Sequence, residues 1–159
     1  MTLVRSRDGG ALVRVIAGDL AGHAGPGVTQ TPITYAHVTL MPGSRLEIPW
    51  RPDFIALVYA LGGSGTVGAE SVPLQSGQLA VLGGGDAVSI AGGPLQDSRS
   101  ATFDVLLLGG RPIGEPVVQY GPFVMNTREE ILQAITDYQA GRMGSIPATH
   151  FGAGPKETG

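Results

Sequence analysis

The stretch YGPFVMNTREEILQAITDYQAGRM, Tyr120 to Met143, is the one strong helix signal in a chain otherwise built of short apolar runs and glycine turns. Thr127 followed three residues later by Glu130 forms a capping-box pattern, in which the hydroxyl accepts from an early backbone N–H and the carboxylate reaches back. Asn126 with Glu129 is an alternative cap. Glu129 and Glu130 fall in the first turn and Arg142 just past the end, as the helix dipole favours. Ile131, Ala134, Ile135 and Tyr138 share one arc about 100° wide. Gly141 is placed to end the helix in the left-handed conformation. The pattern predicts a helix over 127–140 with one face packed on an apolar surface.

Upstream of the helix the chain reads as strands. Met1 to Gly10 is a loose start, and Leu12 to Ala17 is the first strand. Ala21 to Pro32 is a glycine-rich loop. Thr34 to Leu40 and Arg45 to Pro49 follow, the latter with the polar–apolar alternation of a half-buried strand. Phe54 to Leu61 is apolar throughout, which predicts a strand buried on both faces. Short strands are expected at 65–67, 70–73, 78–82 and 87–91, separated by glycine turns, and Ala101 to Leu108 is the last strong one. A proline-punctuated connection leads to the helix. About nine short strands at close spacing predict a sandwich or closed barrel, and no helical pattern between them supports a βαβ sheet.

The 159 residues suit one domain with a real core. Apolar residues make up 42% and charged ones 14%, a globular balance that argues against disorder. The 26 glycines show no three-residue period, which excludes collagen. Without cysteine there is no disulfide, thiolate nucleophile or zinc–thiolate site. A net charge of −3 argues against a nucleic-acid surface. Lys156 is the single lysine among ten basic residues, a bacterial-like composition. The start is interrupted by charge and glycine, and the longest apolar run is far short of a membrane span, so a cytoplasmic protein is expected.

Few residues carry recognisable chemistry. Gly63-Ser-Gly65-Thr-Val-Gly68 matches G-x-G-x-x-G, but a dinucleotide site needs a helix to begin there, and Pro73 and Gly77 follow instead. Hairpin turns are the better reading, as for Gly83-Gly84-Gly85-Asp86. His23, His37 and His150 are scattered, with no His-x-His. His37 sits in a strand on the side opposite Ala36 and Val38, where a solvent-facing or hydrogen-bonded role is favoured over a metal ligand. Ser64, Ser71, Ser76, Ser89, Ser98 and Ser100 include no nucleophile elbow. Asp104 interrupts an apolar strand; facing inward it needs a partner or a raised pKa, and an outward place on the barrel exterior is favoured. Trp50 either caps the barrel mouth or is ordinary packing.

Taken together, these residues resemble a known family. GPFVMNT-x-EEI-x-QA-x-x-DYQ-x-G at 121–141 closely resembles the C-terminal signature of the pirins. VRVIAG at 13–18, TPITYAHVTLMPG at 31–43, VPLQSGQLAVLGGGD at 72–86 and LLLGGRPIGEPVVQYGPFVMNT leading into the helix agree in order. The resemblance covers roughly Leu12 to Met143, with Met143 where family members usually carry Phe. It implies an all-β cupin barrel or jelly roll with one C-terminal amphipathic helix. The expected layout is a loose segment at 1–11, a barrel at 12–113, a connection and helix of the same domain at 114–143, and a flexible tail at 144–159.

Pirins are two-barrel proteins whose iron, held by three histidines and a glutamate, lies in the first domain, and this chain resembles only the second. No residue here aligns with those ligands. Around Phe54 to Val67 there is no His-x-His, and around Gln78 to Ile90 no histidine. The sequence therefore assigns no catalytic, cofactor-binding or metal-ligating residue. The resemblance implies a metal-free cupin domain without the iron-bearing N-terminal one, acting as a non-catalytic binding module. Its expected partner is a second copy or a separate metal-bearing cupin, with a small apolar or aromatic ligand in the barrel and no nucleic acid or membrane. The alternative is half of a split or divergent iron-dependent, quercetinase-like dioxygenase. Iron would then be held by a partner chain, or unconventionally through His23 or His37.

Overall fold

In chain order the strands are β1 (Thr2–Arg5), β2 (Ala11–Leu20), β3 (His23–Ala24), β4 (Ile33–Leu40), β5 (Arg45–Pro49), β6 (Ile55–Gly62) and β7 (Ser64–Val67). They continue with β8 (Val72–Gln75), β9 (Leu79–Leu82), β10 (Ala87–Gly92), β11 (Phe103–Gly110), β12 (Val118–Tyr120) and β13 (Phe123–Met125), and one helix, α1 (Arg128–Gln139), follows. The structure, a computed structural model, describes residues 2–96 and 99–146; His150, Ser98 and the tail beyond 146 lie outside the described residues. The chain divides into two compact units, Met1–Pro112 and Ile113–Gly159. No helix among the described residues is long and apolar enough to cross a membrane.

In the first unit two antiparallel sheets enclose the core. One has the order β1-β2-β4-β11-β6-β9, with β3 paired to β2; the other runs β5-β10-β7-β8. Alternation decides which side chains meet between them. Val13 and Val15, Ala36, Val38 and Leu40, Val58 and Ala60, and Phe103, Val105 and Leu107 point inward from the larger sheet, opposite Ile48, Val67, Leu74, Val88 and Ile90. This is the jelly-roll arrangement that the spacing of short strands predicts.

Five expectations are corrected. Thr2–Arg5 is strand rather than loose segment, antiparallel to β2 with Leu3 opposite Arg14. The Ser6 hydroxyl and the Gly10 N–H both donate to the Asp8 carboxylate, and Ser6 N–H donates to Ala11 O at 3.0 Å, closing a turn that folds β1 back. Glu70 and Ser71 belong to a turn, so β8 begins two residues later than expected, and β11 likewise begins at Phe103 rather than Ala101. The glycine-rich loop carries the two-residue strand β3. Lastly, β6 is buried on one face only: Ala56, Val58 and Ala60 are interior, while Leu57 and Tyr59 are half-buried and Ile55 and Leu61 exposed on the outer side. An apolar residue at every position carries no period, so the sequence could not tell an outward leucine from an inward one. The glycines of the G-x-G-x-x-G match do turn the chain around β7, Gly63 and Gly68 each with φ of 76°.

In the second unit the connection contains an unforeseen hairpin, Tyr120 opposite Phe123 across Gly121-Pro122. The helix follows with both halves of its capping box formed: Glu130 N–H donates to Thr127 Oγ1 at 3.2 Å, and Thr127 N–H donates to Glu130 Oε2 at 2.9 Å. Asn126 is not the cap; its amide nitrogen donates to Glu115 Oε2 and Pro116 O, both at 2.9 Å. Ile131 and Ala134 are buried, and Tyr138 meets Phe123 edge-on at 6.1 Å. Gly141 has φ of 68°, the left-handed stop the sequence predicts.

Candidate functional site

Cross-strand register assembles a polar patch on the outer face of the larger sheet. Arg14 on β2 lies opposite His37 on β4, and Asp104 on β11 opposite Thr39. Arg14 Nη1 donates to His37 Nδ1 at 3.2 Å and to Thr39 Oγ1 at 3.0 Å. Arginine only donates, so Nδ1 accepts, and the Nε2–H faces Asp104 Oδ1 at 3.2 Å. Asp104 also accepts from Thr39 at 2.7 Å and Thr102 at 2.5 Å. Asp104 is thus outward and His37 hydrogen-bonded, as expected. With both ring nitrogens engaged, one by a guanidinium, His37 offers no lone pair to a cation. The carboxylate accepts from three side chains at once, His37, Thr39 and Thr102.

Beyond this patch the same face turns apolar. Leu106 lies between His37 and Tyr59, and Tyr59 beside Leu79; Leu108 lies beside Leu57, and Leu57 beside Val81. Six outward apolar side chains on β11, β6 and β9 therefore form one block, which runs to β9, the outermost strand. There Leu79 is 55% and Val81 66% exposed. Alternation alone points at these residues only if one face of each strand is already known to be interior.

Two concavities lie in the first unit. An open groove of about 1000 Å³ lies by β8, β9 and the Gly83–Gly85 loop, with Arg45, Glu47 and Asp86 on its walls. A second cavity, about 360 Å³, is bounded by Leu20, Ile33, Thr34, Trp50, Arg51 and Phe54 among others. Trp50 is buried, stands edge-on to Phe54 at 6.4 Å, and lies so close on Gly109 that a Cβ there would meet Cζ2 at 2.1 Å. Arg51 covers the Phe54 ring at 4.3 Å and pairs with Asp53, which also takes Arg111 at 2.7 Å. Hydrogen bonds from Arg51 and then Arg111 hold the exposed Asp53 carboxyl down to about 2.

The described residues do not fit an iron site. Among the described residues no three His, Asp or Glu side chains gather as a metal would need. His23 is exposed on β3 and His37 is committed to Arg14 and Asp104. Of the serines, Ser64 N–H donates to Gln96 Oε1 and Ser76 Oγ to Leu61 O, and Ser71 adopts φ of 52° in a turn; none of the three is hydrogen-bonded to a histidine among the described residues.

The family model for the Pirin C-terminal cupin domain matches residues 35–144. A pirin-like protein of Caulobacter vibrioides is 43% identical over 141 residues, 87% of this chain and 48% of its own length. One from Solanum lycopersicum is 40% identical over 136 residues, 85% of this chain and 45% of its own. The crystal structure of a quercetin 2,3-dioxygenase from Acinetobacter baumannii superposes with a TM-score of 0.78 at 31% identity, covering 92% of this chain and 48% of that one. The chain spans about half the length of the curated relatives it matches.

Proposed function

The chain belongs to the pirin family, as its C-terminal cupin domain, and on that premise we propose that it is a binding module, non-catalytic by itself, that docks on another barrel. The observation that carries this reading is the outward apolar block of Leu57, Tyr59, Leu79, Val81, Leu106 and Leu108. Contiguous apolar surface of this kind marks interaction sites in soluble proteins. The adjoining polar patch neutralises itself, so covering it strands no lone charge. The partner is a second copy or a metal-bearing cupin barrel, on the same or another polypeptide. Sedimentation velocity of the chain, alone and mixed with a metal-bearing pirin N-terminal domain, tests this. Association with either is expected, weakened at least about tenfold by Val81→Lys, which is 1.4 kcal/mol of binding. A chain that stays monomeric in both mixtures refutes the module. Association indifferent to Val81→Lys refutes the face.

A second reading is favoured by the likeness to the quercetin 2,3-dioxygenase. In it this domain completes an iron-dependent oxygenase whose metal is held by the partner barrel. When bound there, iron supplies the open coordination positions that dioxygen chemistry needs; this chain's residues pack against that barrel and shape its surroundings. Flavonol turnover by the iron-loaded partner, raised when this chain is added and lowered when Val81→Lys weakens docking, is the expected outcome. Iron retained and flavonol turned over by this chain alone contradicts both readings.

A further inference from the structure

We propose that the free edge of β9 pairs antiparallel with β9 of a second copy of this chain, about a two-fold axis at Ala80, joining the two larger sheets into one. The pairing deepens the docking reading and rests on it. The two sheets of the first unit end in β1 and β9 and in β5 and β8. Natural sheets guard such ends with charge or proline, because an unpaired edge invites another strand. Arg5 lies on β1, Arg45, Glu47 and Pro49 on β5, and Pro73 on β8, whereas β9, Leu-Ala-Val-Leu, carries neither device.

Hydrogen-bond parity decides which backbone groups are free. Ala60 N–H donates to Gln78 O at 2.9 Å, and Gly77 N–H to Ala60 O at 2.8 Å. Bonded positions alternate along an antiparallel strand, so Val58 and Ala56 are the next on β6, and their partners are Ala80 and Leu82. Leu79 and Val81 therefore turn N–H and C=O away from β6, beside the groove of about 1000 Å³ that β9 borders. No turn or loop backbone hydrogen bond among the described residues reaches either of them. Across the groove the edge of β8 is closed. Ser76 N–H donates to Gly63 O at 3.1 Å, so by the same parity Pro73 faces outward with no N–H to give. Gln78 Oε1 takes the Gln75 N–H at 2.8 Å.

A strand beside β9 must be apolar on both faces, outside to continue Leu79 and Val81 and inside to lie by Ala80 and Leu82, which pack on the core. The sequence of β9 meets both conditions itself, and the other three end strands bring charge or proline. Centred on Ala80, the pairing sets Leu79 against Val81 of the second copy and the reverse, so each gives and receives a backbone hydrogen bond. Their side chains meet on the outer face and carry the apolar block across the axis.

Amide hydrogen exchange of the full chain, followed by NMR at rising concentration, reads the edge directly. The Leu79 and Val81 amides are expected to slow by about tenfold or more as the chain self-associates. A cysteine at the axis gives a second reading, since the chain has none of its own. Facing residues of a non-bonded antiparallel pair have Cα atoms about 4.5 Å apart, within disulfide reach. With oxidised glutathione as oxidant, Ala80→Cys is expected to yield a disulfide-linked dimer far faster than Val28→Cys, whose site is 96% exposed. If Ala80→Cys does not fold, exchange in the wild-type chain still decides. Self-association with both amides exchanging as in the monomer, equal cross-linking of the two variants, or association with a metal-bearing barrel only, each overturns the strand pairing and leaves the docking reading standing. A chain that associates with neither overturns both.

Discussion

Gly109→Ala probes the packing of the cavity wall directly. The new Cβ would lie 2.1 Å from Trp50 Cζ2, 2.7 Å from Cη2 and 3.0 Å from the Ile55 carbonyl oxygen. Ordinary contact begins at 3.4 Å, so the indole must retreat by about 1.3 Å. Gly109 does not occupy the left-handed region, so the cost is contact, not backbone strain. Overpacking of this kind costs about 1–3 kcal/mol. The upper half of that range is expected, because one neighbour is a rigid ring and the other is backbone. Urea unfolding followed by the emission of Trp50 reads the effect. With an m-value of about 2 kcal/mol per molar, a loss of about 2–3 kcal/mol lowers the midpoint by about 1–1.5 M. The emission should also move to longer wavelength in the folded variant. Trp50→Phe supplies the control: by circular dichroism, the pair should couple by about 1 kcal/mol or more, since the smaller ring vacates the contested space. A midpoint shift below about 0.25 M with unchanged emission shows that the indole does not rest on Gly109.

Thr127→Ala removes one half of the capping box and should cost the helix about 1 kcal/mol, with faster amide exchange at 129–131. Asn126 cannot replace it while its amide is bound to Glu115 and Pro116; exchange at wild-type rates counts against the cap. Asp53 has its carboxyl depressed to about 2 by Arg51 and Arg111. Its contribution to stability is therefore complete above the ordinary value of 3.8 and is lost as the pH falls through about 2. Carboxyl ¹³C titration should give that low midpoint, and Arg111→Gln should raise it; a wild-type midpoint at the ordinary value breaks the Arg–Asp–Arg cluster.

Local chemistry was legible where it is local. Thr127, Glu130 and Gly141 announce the helix and its ends because capping acts across three or four residues. Strand spacing and the pirin signature led to the jelly roll. The face assignments of β6 were not legible, since Phe54 to Leu61 is apolar at every position and only the finished sheet shows which side is interior. The hairpin Val118–Met125 was hidden by Pro122 at its turn and by Pro112 and Pro116 ahead of it. The polar patch was invisible for a different reason: Arg14 and His37 are 23 residues apart, and Thr39 and Asp104 are 65 apart. Sequence identifies Asp104 as anomalous, but only register supplies its partners.

The order β2-β4-β11-β6 also dictates a schedule. Strand β11 is the last in sequence of the larger sheet, yet it lies between β4 and β6, with Leu107 opposite both Ala36 and Val58. Nothing made before residue 103 can fill that slot, so neither neighbour completes its hydrogen bonding until nearly the whole first unit has left the ribosome. Such long loop closures place all-β domains among the slower folders, on the order of milliseconds to seconds. During that interval β4 and β6 each present an open edge whose inward side chains are apolar except for Thr34. The nascent chain is therefore most vulnerable to misassembly in the window that closes with Gly110, and a stalled or truncated product ending shortly before Phe103 is the species most prone to aggregate.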